Sequence, residues 1–262
     1  MSAPQTVAIG GTDIAYRFEQ PDSRRTGVMW LSGFRSDMSG TKVKALAAQA
    51  RSAARPFLRF DYSGHGLSKG AFTEQTLSDW LAQSVHMFAR IATGPVVIAG
   101  SSMGGYLALL LYRSVARDMA AALARIRGLV LIAPAADMTE ALLWAKLTDT
   151  ARQTLLSAGE TAMASAYGDG YTLTRRLIED GRRHLLLAEG LAVHCPVHIL
   201  QGDEDPDVAW QHGLKVYKAL AGDDVRFTLI RGGDHRLSTP RDLAHIVEAV
   251  EVLCLKDEAA GR

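Results

Sequence analysis

The stretch VVIAGSSMGG, residues 96–105, places two adjacent serines between an apolar run and a helix-forming segment. The apolar run is typical of a buried β-strand, and the residues from Met103 onward have the composition of a helix. Residues 100–104, GSSMG, therefore match G-x-S-x-G at a strand-to-helix turn, an arrangement called the nucleophile elbow. Because one glycine lies two residues before Ser102 and another two residues after it, Ser102 is the predicted nucleophile and Ser101 is a spacer.

The glycines around this turn have a steric explanation. A serine in so tight a turn takes strained backbone angles, so the positions two residues away must lack bulk. The helix that follows brings its positive N-terminal end to the site, and the Met103 N–H is a predicted donor to an oxyanion. A glycine-rich turn with two helix-capping serines is the alternative interpretation, but the strand before and the helix after favour the catalytic one.

The rest of the chain alternates short β-rich runs with longer helical stretches. The predicted strands are residues 27–33, 56–62, 95–101, 128–134, 196–202 and 225–233, and the predicted helices are 42–54, 77–92, 103–117, a segment ending near 220, and 240–254. A hairpin over 6–19, turning at Gly10–Gly11, and a polar turn at 21–27 precede them. This alternation predicts an α/β fold with a mostly parallel, doubly wound sheet and helices on both faces.

Residues 135–193 interrupt the alternation. Nothing in this stretch resembles a strand, whereas Leu147, Ala151 and Leu155 share one face at helical spacing. The stretch is too short, and too poorly supplied with apolar residues, to form a core of its own. We therefore expect a single domain spanning residues 1–262 that carries a helical cap insertion at 135–193.

A serine hydroxyl needs a base at neutral pH, and the base needs a group that orients it. In this architecture the acid and then the histidine follow the serine in the chain, at the carboxyl ends of strands. The predicted strand 225–233 is followed by Asp234 and His235, which makes His235 the predicted base. An ordinary histidine on a surface loop is the alternative.

The acid must be chosen from a loop that holds four carboxylates, GDEDPDV at residues 202–208. Asp205 is favoured because it lies three residues after the glycine and three before the valine, a G-x-x-D-x-x-V spacing that suits hydrolases with this elbow. Asp203, closer to the strand, is expected to shape the turn. Asp207 is expected to cap the next helix.

The second oxyanion donor should come from the loop after the strand 27–33, which reads SGFRSD at residues 32–37. Its glycine lets the backbone approach a substrate oxygen, so the Phe34 N–H is the predicted donor and the Phe34 ring is expected to wall the acyl pocket. His65 lies on a loop near the same edge of the sheet. We expect it to serve that turn rather than the chemistry.

Two patterns suggest other chemistry. Residues 39–42, SGTK, match the S-x-x-K signature of β-lactamases, but no K-T-G follows, and Ser39 or Thr41 is expected to cap a helix. Residues 194–198, HCPVH, suggest metal ligands, but a proline interrupts them and a strand begins there, so its side chains alternate between faces. No metal or cofactor is predicted.

The insertion also carries a basic cluster, formed by Arg175, Arg176, Arg182 and Arg183. A solvated helix face usually explains such a run, and Glu179 and Asp180 partly neutralise this one. The alternative is that the cluster attracts an anionic leaving group such as a glucuronate or coenzyme A.

Composition limits the class of function. The 262 residues carry a net charge of +1, so the overall charge indicates neither nucleic acid nor an anionic membrane as a partner. No apolar run is long enough for a spanning helix, and the first residues do not resemble a secretory signal. The two cysteines, Cys195 and Cys254, are expected to be free thiols. These features favour a cytoplasmic protein whose oligomeric state stays open.

Several stretches together resemble the α/β-hydrolase superfamily and, within it, the α/β-hydrolase-domain-containing protein 10 group. They are SGFRSDMSGTKVKAL, RFDYSGHGLSKG, GSSMGGYLALL, CPVHILQGDEDPDV and GGDHRLS. The resemblance spans about residues 27–247 and is weakest in the insertion. It implies a triad of Ser102, Asp205 and His235 with oxyanion donors at Phe34 and Met103. Where the superfamily's loop often reads His-Gly, this chain has serine and glycine at 32–33.

That group comprises mitochondrial palmitoyl-protein thioesterases and acyl-glucuronide esterases with bacterial relatives. The resemblance therefore implies a serine hydrolase that needs no cofactor and cleaves carboxylic esters or thioesters through an acyl-enzyme on Ser102. Its substrate would be a small ester or thioester, with an acylated protein as a further candidate. The alternatives are a C–C bond hydrolase, a peptidase, or a ligand-binding protein that kept the fold without catalysis.

Overall fold

The computed structural model describes residues 3–21, 24–164 and 169–260. Its strands are β1 Gln5–Ile9, β2 Thr12–Glu19, β3 Gly27–Leu31, β4 Phe57–Phe60, β5 Val96–Ser101, β6 Ile126–Ile132, β7 Glu160–Met163, β8 Tyr171–Thr174, β9 Leu191–Ala192, β10 Val197–Gly202, β11 Leu220–Ala221 and β12 Val225–Ile230. Its α-helices are α1 Thr41–Ser52, α2 Leu77–His86, α3 Met103–Asp118, α4 Ala120–Leu123, α5 Asp149–Ala158, α6 Arg175–Gly181, α7 Trp210–Ala219 and α8 Pro240–Ala260. Part of the predicted turn at 21–27 and part of the predicted cap lie outside the described residues.

Eight of these strands form one sheet in the order β1-β2-β4-β3-β5-β6-β10-β12. From β4 to β12 every neighbouring pair is parallel, while β1 and β2 form the predicted hairpin and β2 pairs antiparallel with β4. The central strands β3 and β5 are buried along their whole length, which explains why their sequences are continuously apolar rather than alternating. The predicted α/β fold is therefore confirmed.

The two faces of the sheet bury separate cores. Helices α1 and α8 cover one face, where Val43 and Leu46 of α1 lie in the same apolar cluster as Ile246 and Val250 of α8. Helices α2, α3 and α7 cover the other face together with apolar residues of the 135–193 insertion. Helices on both faces leave the carboxyl ends of the parallel strands as the edge at which loops from different strands meet.

The expectation that residues 135–193 contain no strand is wrong. Strands β7 and β8 form an antiparallel hairpin there, and the two-residue β9 pairs with β11. Each hairpin strand has only four residues, and only one position in each is buried, so no alternating pattern reaches the length needed to be recognised in the sequence. The insertion is thus a mixture of short helices and a hairpin.

Side-chain hydrogen bonds tie the end of this insertion to the main body. The Asp137 carboxylate, just after β6, accepts from the backbone N–H groups of Leu186 at 2.8 Å and Leu187 at 3.1 Å. The Tyr106 hydroxyl of α3 donates to the carbonyl of His184 at 2.6 Å. Because a carboxylate and a phenol hold three consecutive backbone units, the 184–187 segment is fixed on the surface of α3.

A buried arginine just before β4 joins helix α8 to the sheet. The Arg55 side chain is fully buried and pairs with Glu251 at 3.1 Å and with Glu258.

We expect Arg55→Met to lower the free energy of unfolding by about 3–5 kcal/mol, because it leaves two mostly buried carboxylates without their cation. Urea denaturation measures the change. Arg51→Met, at an exposed position of α1, serves as control, and an equally small change in both variants would contradict the prediction.

Among the described residues, no helix combines the length and the apolar character needed to cross a membrane.

Candidate active site

The elbow lies between β5 and α3, as the sequence predicts. Ser102 has φ 55° and ψ −117°, a left-handed conformation that a residue with a side chain adopts only at a cost of about 1–3 kcal/mol. Its N–H donates to the carbonyl of Ile132 at 2.8 Å, and its carbonyl accepts from the N–H of Ala135 at 3.1 Å. Bonds to β6 and to the loop after it therefore hold the strained residue in place.

The two motif glycines are required by close backbone contacts. A Cβ on Gly100 would lie 2.2 Å from the carbonyl oxygen of Gly104, and a Cβ on Gly104 would lie 2.0 Å from the carbonyl oxygen of Leu31. Both distances are far inside van der Waals contact, and the atoms met are backbone rather than flexible side chains. The elbow can therefore form only if both positions lack a side chain.

We expect Gly104→Ala to destabilise the protein by about 2–3 kcal/mol or more, because the new methyl group forces α3 away from β3. Gly40→Ala is the matched control, since a Cβ there would meet nothing closer than 3.9 Å. Thermal unfolding of both variants measures the difference. A Gly104→Ala protein as stable as the control would show that the elbow tolerates bulk.

His235 follows β12 and reaches the elbow. Its Nε2 lies 3.1 Å from Ser102 Oγ, and its Nδ1 lies 2.8 Å from Asp205 Oδ2. The imidazole side chain is 15% exposed and the carboxylate is fully buried. The structure thus brings together three side chains that come from three different strand ends and span 133 positions of the chain.

The buried Asp205 carboxylate is fully engaged by hydrogen bonds. Oδ1 accepts from the N–H groups of Asp207 at 2.9 Å and Val208 at 2.8 Å. Oδ2 accepts from Gln201 Nε2 at 3.0 Å in addition to its contact with His235. Partners on both oxygens fix the plane of the carboxylate.

The neighbouring aspartates have other surroundings. Asp203 Oδ1 accepts from the Gly232 N–H at 2.6 Å, so it links the acid loop to the histidine loop, consistent with the expected role in the turn. The expectation that Asp207 caps the next helix is wrong, because α7 begins after Ala209, which has no side-chain acceptor. The N-cap position lies two residues after Asp207, whose backbone N–H donates instead to Asp205 Oδ1.

The loop after β3 lies against the elbow. A Cβ on Gly33 would be 3.2 Å from the Ser101 carbonyl oxygen and 3.5 Å from Ser102 Cβ, so the glycine permits this approach. Phe34 follows it, and the first residue of α3 is Met103, which places both predicted oxyanion donors beside the serine. The Ser32 hydroxyl, where related loops have histidine, accepts from Trp30 Nε1 at 3.1 Å.

The Phe34 ring belongs to an aromatic group that spans the main body and the insertion. Its centroid lies 5.1 Å from Phe72, 6.0 Å from Trp80 and 5.5 Å from Tyr171 of β8. The adjacent Arg35 donates to the carbonyl of Asp169 at 3.0 Å and lies over the Tyr171 ring. The hairpin of the insertion therefore rests on the loop that carries Phe34.

Sequence reasoning missed two contributors to this geometry. Gln201, a buried polar residue at the end of β10, holds Asp205, and a lone glutamine inside an apolar run was the available signal. Lys42 of α1 donates through Nζ to the Arg236 carbonyl, next to His235. Burial lowers the pKa of Lys42 to about 8, with the Asp234 charge acting in the opposite direction.

The S-x-x-K stretch has no cap of the predicted kind. Helix α1 begins after Gly40, which has no side chain to cap it, so the expectation for Ser39 or Thr41 is wrong. The Ser39 hydroxyl instead donates to Asp37 Oδ1 at 2.5 Å, a local bond to a side chain two residues earlier.

In the stretch 194–198, which suggested metal ligands, His198 and Cys195 have other surroundings. His198 of β10 pairs with Thr228 at 2.8 Å, and Cys195 is a free thiol whose pKa burial raises to about 12. Among the described residues, the side-chain oxygen and nitrogen atoms close enough to share an ion belong to Asp205, Asp207 and His235, and those of Asp205 and His235 are already hydrogen-bonded to each other.

The basic cluster lies beside a separate groove of about 560 Å³. Three of its members form ion pairs, Arg175 with Glu179 at 3.5 Å, Arg182 with Glu140 at 2.8 Å, and Arg183 with Asp180. Neither the three side chains at the elbow nor Phe34 lines this groove. Neighbouring carboxylates therefore neutralise much of the charge that the sequence concentrates here.

Known proteins share this fold and are similar to this chain in sequence. Mitochondrial palmitoyl-protein thioesterase ABHD10 of Mus musculus is 30% identical over 238 residues, which cover 90% of this chain and 77% of that protein. The structure of the mouse alpha/beta hydrolase domain-containing protein 10 superimposes with a TM-score of 0.85 at 28% identity, covering 97% of this chain and 99% of the other. A protein from Agrobacterium vitis S4 gives a TM-score of 0.89 at 40% identity, covering 96% and 98%.

The name of the mouse relative places that protein in mitochondria, and the cytoplasmic location expected for this chain stays a prediction. The sequence model of the alpha/beta hydrolase family matches residues 27–246, which span the sheet from β3, the elbow, the insertion and the first two turns of α8. Family, fold and the resemblance found in the sequence agree. This chain belongs to the alpha/beta hydrolase family.

Proposed function

We propose that this hydrolase cleaves carboxylic esters or thioesters through a covalent acyl-enzyme on Ser102, with His235 as general base and Asp205 as the group that orients it. One observation carries the proposal. Ser102 Oγ, His235 Nε2, His235 Nδ1 and Asp205 Oδ2 form a continuous series with separations of 3.1 Å and 2.8 Å across the two hydrogen bonds. This is the geometry that proton transfer from the hydroxyl needs.

In the first half of the reaction Ser102 Oγ attacks the substrate carbonyl carbon while its proton passes to His235 Nε2. The buried Asp205 carboxylate stabilises the imidazolium and keeps Nδ1–H directed toward itself. The C–O or C–S bond then breaks, and the imidazolium gives its proton to the departing alcohol or thiol. Water, activated on the same imidazole, hydrolyses the acyl-enzyme and regenerates the serine.

The negative oxygen of the tetrahedral intermediate would be held by the N–H groups of Phe34 and Met103. The second of these lies at the N-terminus of α3, a sixteen-residue helix whose dipole adds to the attraction. Removing one such donor from a hydrolase costs about 100- to 1000-fold in kcat, so the pair supplies a substantial part of the catalysis.

Residues 135–193 serve as a cap over the site in this proposal. The contact of Tyr171 with Phe34 and Arg35 supports it, since the hairpin lies directly on the loop beside the serine. Apolar rings on one side suit an acyl group, which agrees with the acyl substrate in the name of the mouse thioesterase. We propose a small ester or thioester as substrate, and an acylated protein as a further candidate.

Paired substrates test the chemistry. An ester and a thioester with the same acyl group pass through one acyl-enzyme, so they should share the same kcat when its hydrolysis is rate-limiting. A fast-reacting aryl ester should release one equivalent of phenol per site in a burst. The same pairs, compared over a series of acyl chain lengths by kcat/KM, define the acyl pocket.

An active-site serine probe of the fluorophosphonate type separates the proposal from its alternatives. Labelling of the protein, lost in Ser102→Ala and kept in Ser101→Ala, is the expected result. A folded protein that is neither labelled nor active on any ester or thioester would point to a ligand-binding protein. Labelling without ester or thioester turnover would favour a peptidase or a C–C bond hydrolase.

A further inference from the structure

His65 is buried beside the loop that carries Phe34, with 5% of its surface exposed. Its Nδ1 lies 3.1 Å from the Ser63 carbonyl oxygen, and its Nε2 lies 3.1 Å from the backbone nitrogen of Arg35. The rings of Trp80 at 5.2 Å and Phe72 at 5.4 Å pack against the imidazole. The ring thus joins the turn after β4 to the loop after β3.

These partners select one form of the imidazole. The Ser63 carbonyl only accepts, so Nδ1 must carry a hydrogen, and the Arg35 N–H only donates, so Nε2 must offer its lone pair. An imidazolium would set a second N–H against the N–H of Arg35. Burial lowers the pKa of His65, and the Arg35 charge acts in the same direction although the Ser63 bond opposes both. The neutral Nδ1–H tautomer is the form that satisfies the site.

The bond from Arg35 falls at a strained position. Arg35 has φ 56°, a left-handed conformation that a residue with a Cβ keeps only when its surroundings hold it. The buried His65 ring supplies such surroundings, because its Nε2 accepts the Arg35 N–H. The peptide unit joining Phe34 to Arg35 is therefore fixed by the imidazole.

The preceding peptide unit is fixed as well. The Ser36 N–H donates to the Gly33 carbonyl at 3.1 Å, and that carbonyl belongs to the same planar unit as the Phe34 N–H. In a trans peptide the C=O and the N–H point in opposite directions, so the Phe34 N–H points away from Ser36. With the units on both sides of its Cα restrained, Phe34 has one backbone conformation.

We infer that His65 is a positioning residue, which accepts the Arg35 N–H through Nε2 and thereby aims the Phe34 N–H at the substrate oxyanion. The inference rests on the proposed function, since it assigns His65 a role in the oxyanion hole of Ser102. The sequence alone assigned His65 to its own turn. The hydrogen bond between His65 and Ser63 lies within that turn. The hydrogen bond from Arg35 connects His65 to a second loop, 30 positions away in the chain.

Two substitutions separate the acceptor from the bulk of the ring. His65→Phe keeps a flat ring and removes the acceptor, whereas His65→Gln places an amide oxygen where Nε2 was. We expect His65→Phe to lower kcat by about 10- to 100-fold with little change in KM, somewhat less than the loss of a whole oxyanion donor. The same substitution should weaken the binding of a trifluoromethyl ketone inhibitor, which forms an oxyanion on Ser102, by a similar factor. His65→Gln should recover most of both losses.

His198→Phe is the control, because His198 is a half-buried histidine away from the elbow that pairs with Thr228. Equal kcat in His65→Phe and wild type, or equal losses in the Phe and Gln variants, would overturn the inference. A rise in KM with kcat unchanged would also overturn the inference, because it would show a role in substrate binding.

Nitrogen-15 NMR of the wild-type protein gives a second test that needs no variant and so does not depend on the folding of His65→Phe. The expected signature at neutral pH is a protonated Nδ1 and an unprotonated Nε2 on His65, and the reverse tautomer or an imidazolium would overturn the inference. If wild type shows neither a burst nor labelling of Ser102, the proposed function fails. If both are present and His65→Phe behaves as wild type, only the role of His65 fails.

Discussion

Replacing Ser102 by alanine is expected to lower kcat by about 10⁶-fold, the scale on which hydrolases of this type lose activity when the nucleophile is removed. The structure gives the reason, because no other hydroxyl is held 3.1 Å from His235 Nε2 among the hydrogen bonds of the described residues. Activity that remains would come from oxyanion stabilisation and substrate binding. A single-turnover assay with an activated ester, at high protein concentration, measures a loss of this size.

Ser101→Ala is the matched control for this prediction. Ser101 is the buried last residue of β5 and the chain neighbour of Ser102, whose hydroxyl is the one that meets His235 Nε2. Both variants should unfold within about 1.5 kcal/mol of wild type, since each loses at most one hydrogen bond. If Ser101→Ala abolishes activity and Ser102→Ala does not, the nucleophile is misassigned.

The second large effect is expected for Asp205→Asn, with a loss of about 10⁴-fold in kcat. Two backbone N–H groups donate to Oδ1, so the asparagine carbonyl oxygen must take that position and its NH₂ group must replace Oδ2. An NH₂ facing His235 Nδ1 requires that nitrogen to be an acceptor. The hydrogen then moves to Nε2, where it faces Ser102, and the imidazole can no longer take the serine proton.

The same substitution should also destabilise the fold. Gln201 Nε2 donates to Oδ2 in the native site, and in Asp205→Asn it would meet a second NH₂ group. An unmatched buried donor costs about 1–3 kcal/mol, which urea denaturation can resolve. Kinetics and stability therefore report separately on the tautomer and on the lost acceptor.

Asp207→Asn is the control for this second prediction. Asp207 lies in the same loop, but it meets the acid through its backbone N–H, which the substitution keeps. It should retain most of the wild-type kcat/KM. A variant series in which Asp207→Asn loses activity and Asp205→Asn keeps it would move the role of the acid to Asp207.

The sequence by itself was enough for the alternating elements, the parallel sheet and the position of the elbow. These depend on local requirements that neighbouring residues reveal. Buried parallel strands need continuous apolar runs, as in β3 and β5, and the turn at Ser102 needs residues without side chains at Gly100 and Gly104. A requirement that acts between neighbouring residues can be recognised from the types of those residues.

Contacts between distant segments required the tertiary structure. Spacing favoured Asp205 among the four carboxylates of residues 202–208, and the folded loop supplies the contacts, in which Asp205 Oδ2 meets His235 and Asp203 Oδ1 accepts from Gly232. The hairpin of β7 and β8 stayed hidden because four-residue strands carry no periodicity. The bond from Arg35 to His65 joins two loops that are brought together by the pairing of β3 with β4.

The division has a physical cause. Backbone sterics and hydrophobic periodicity are properties of adjacent residues, so the strand, the turn and the helix around Ser102 could be predicted before any coordinates were known. Which side chains then lie within hydrogen-bond distance depends on strand order and on the path of each loop. Those are set by packing across the whole sheet, and no stretch of this sequence contains them.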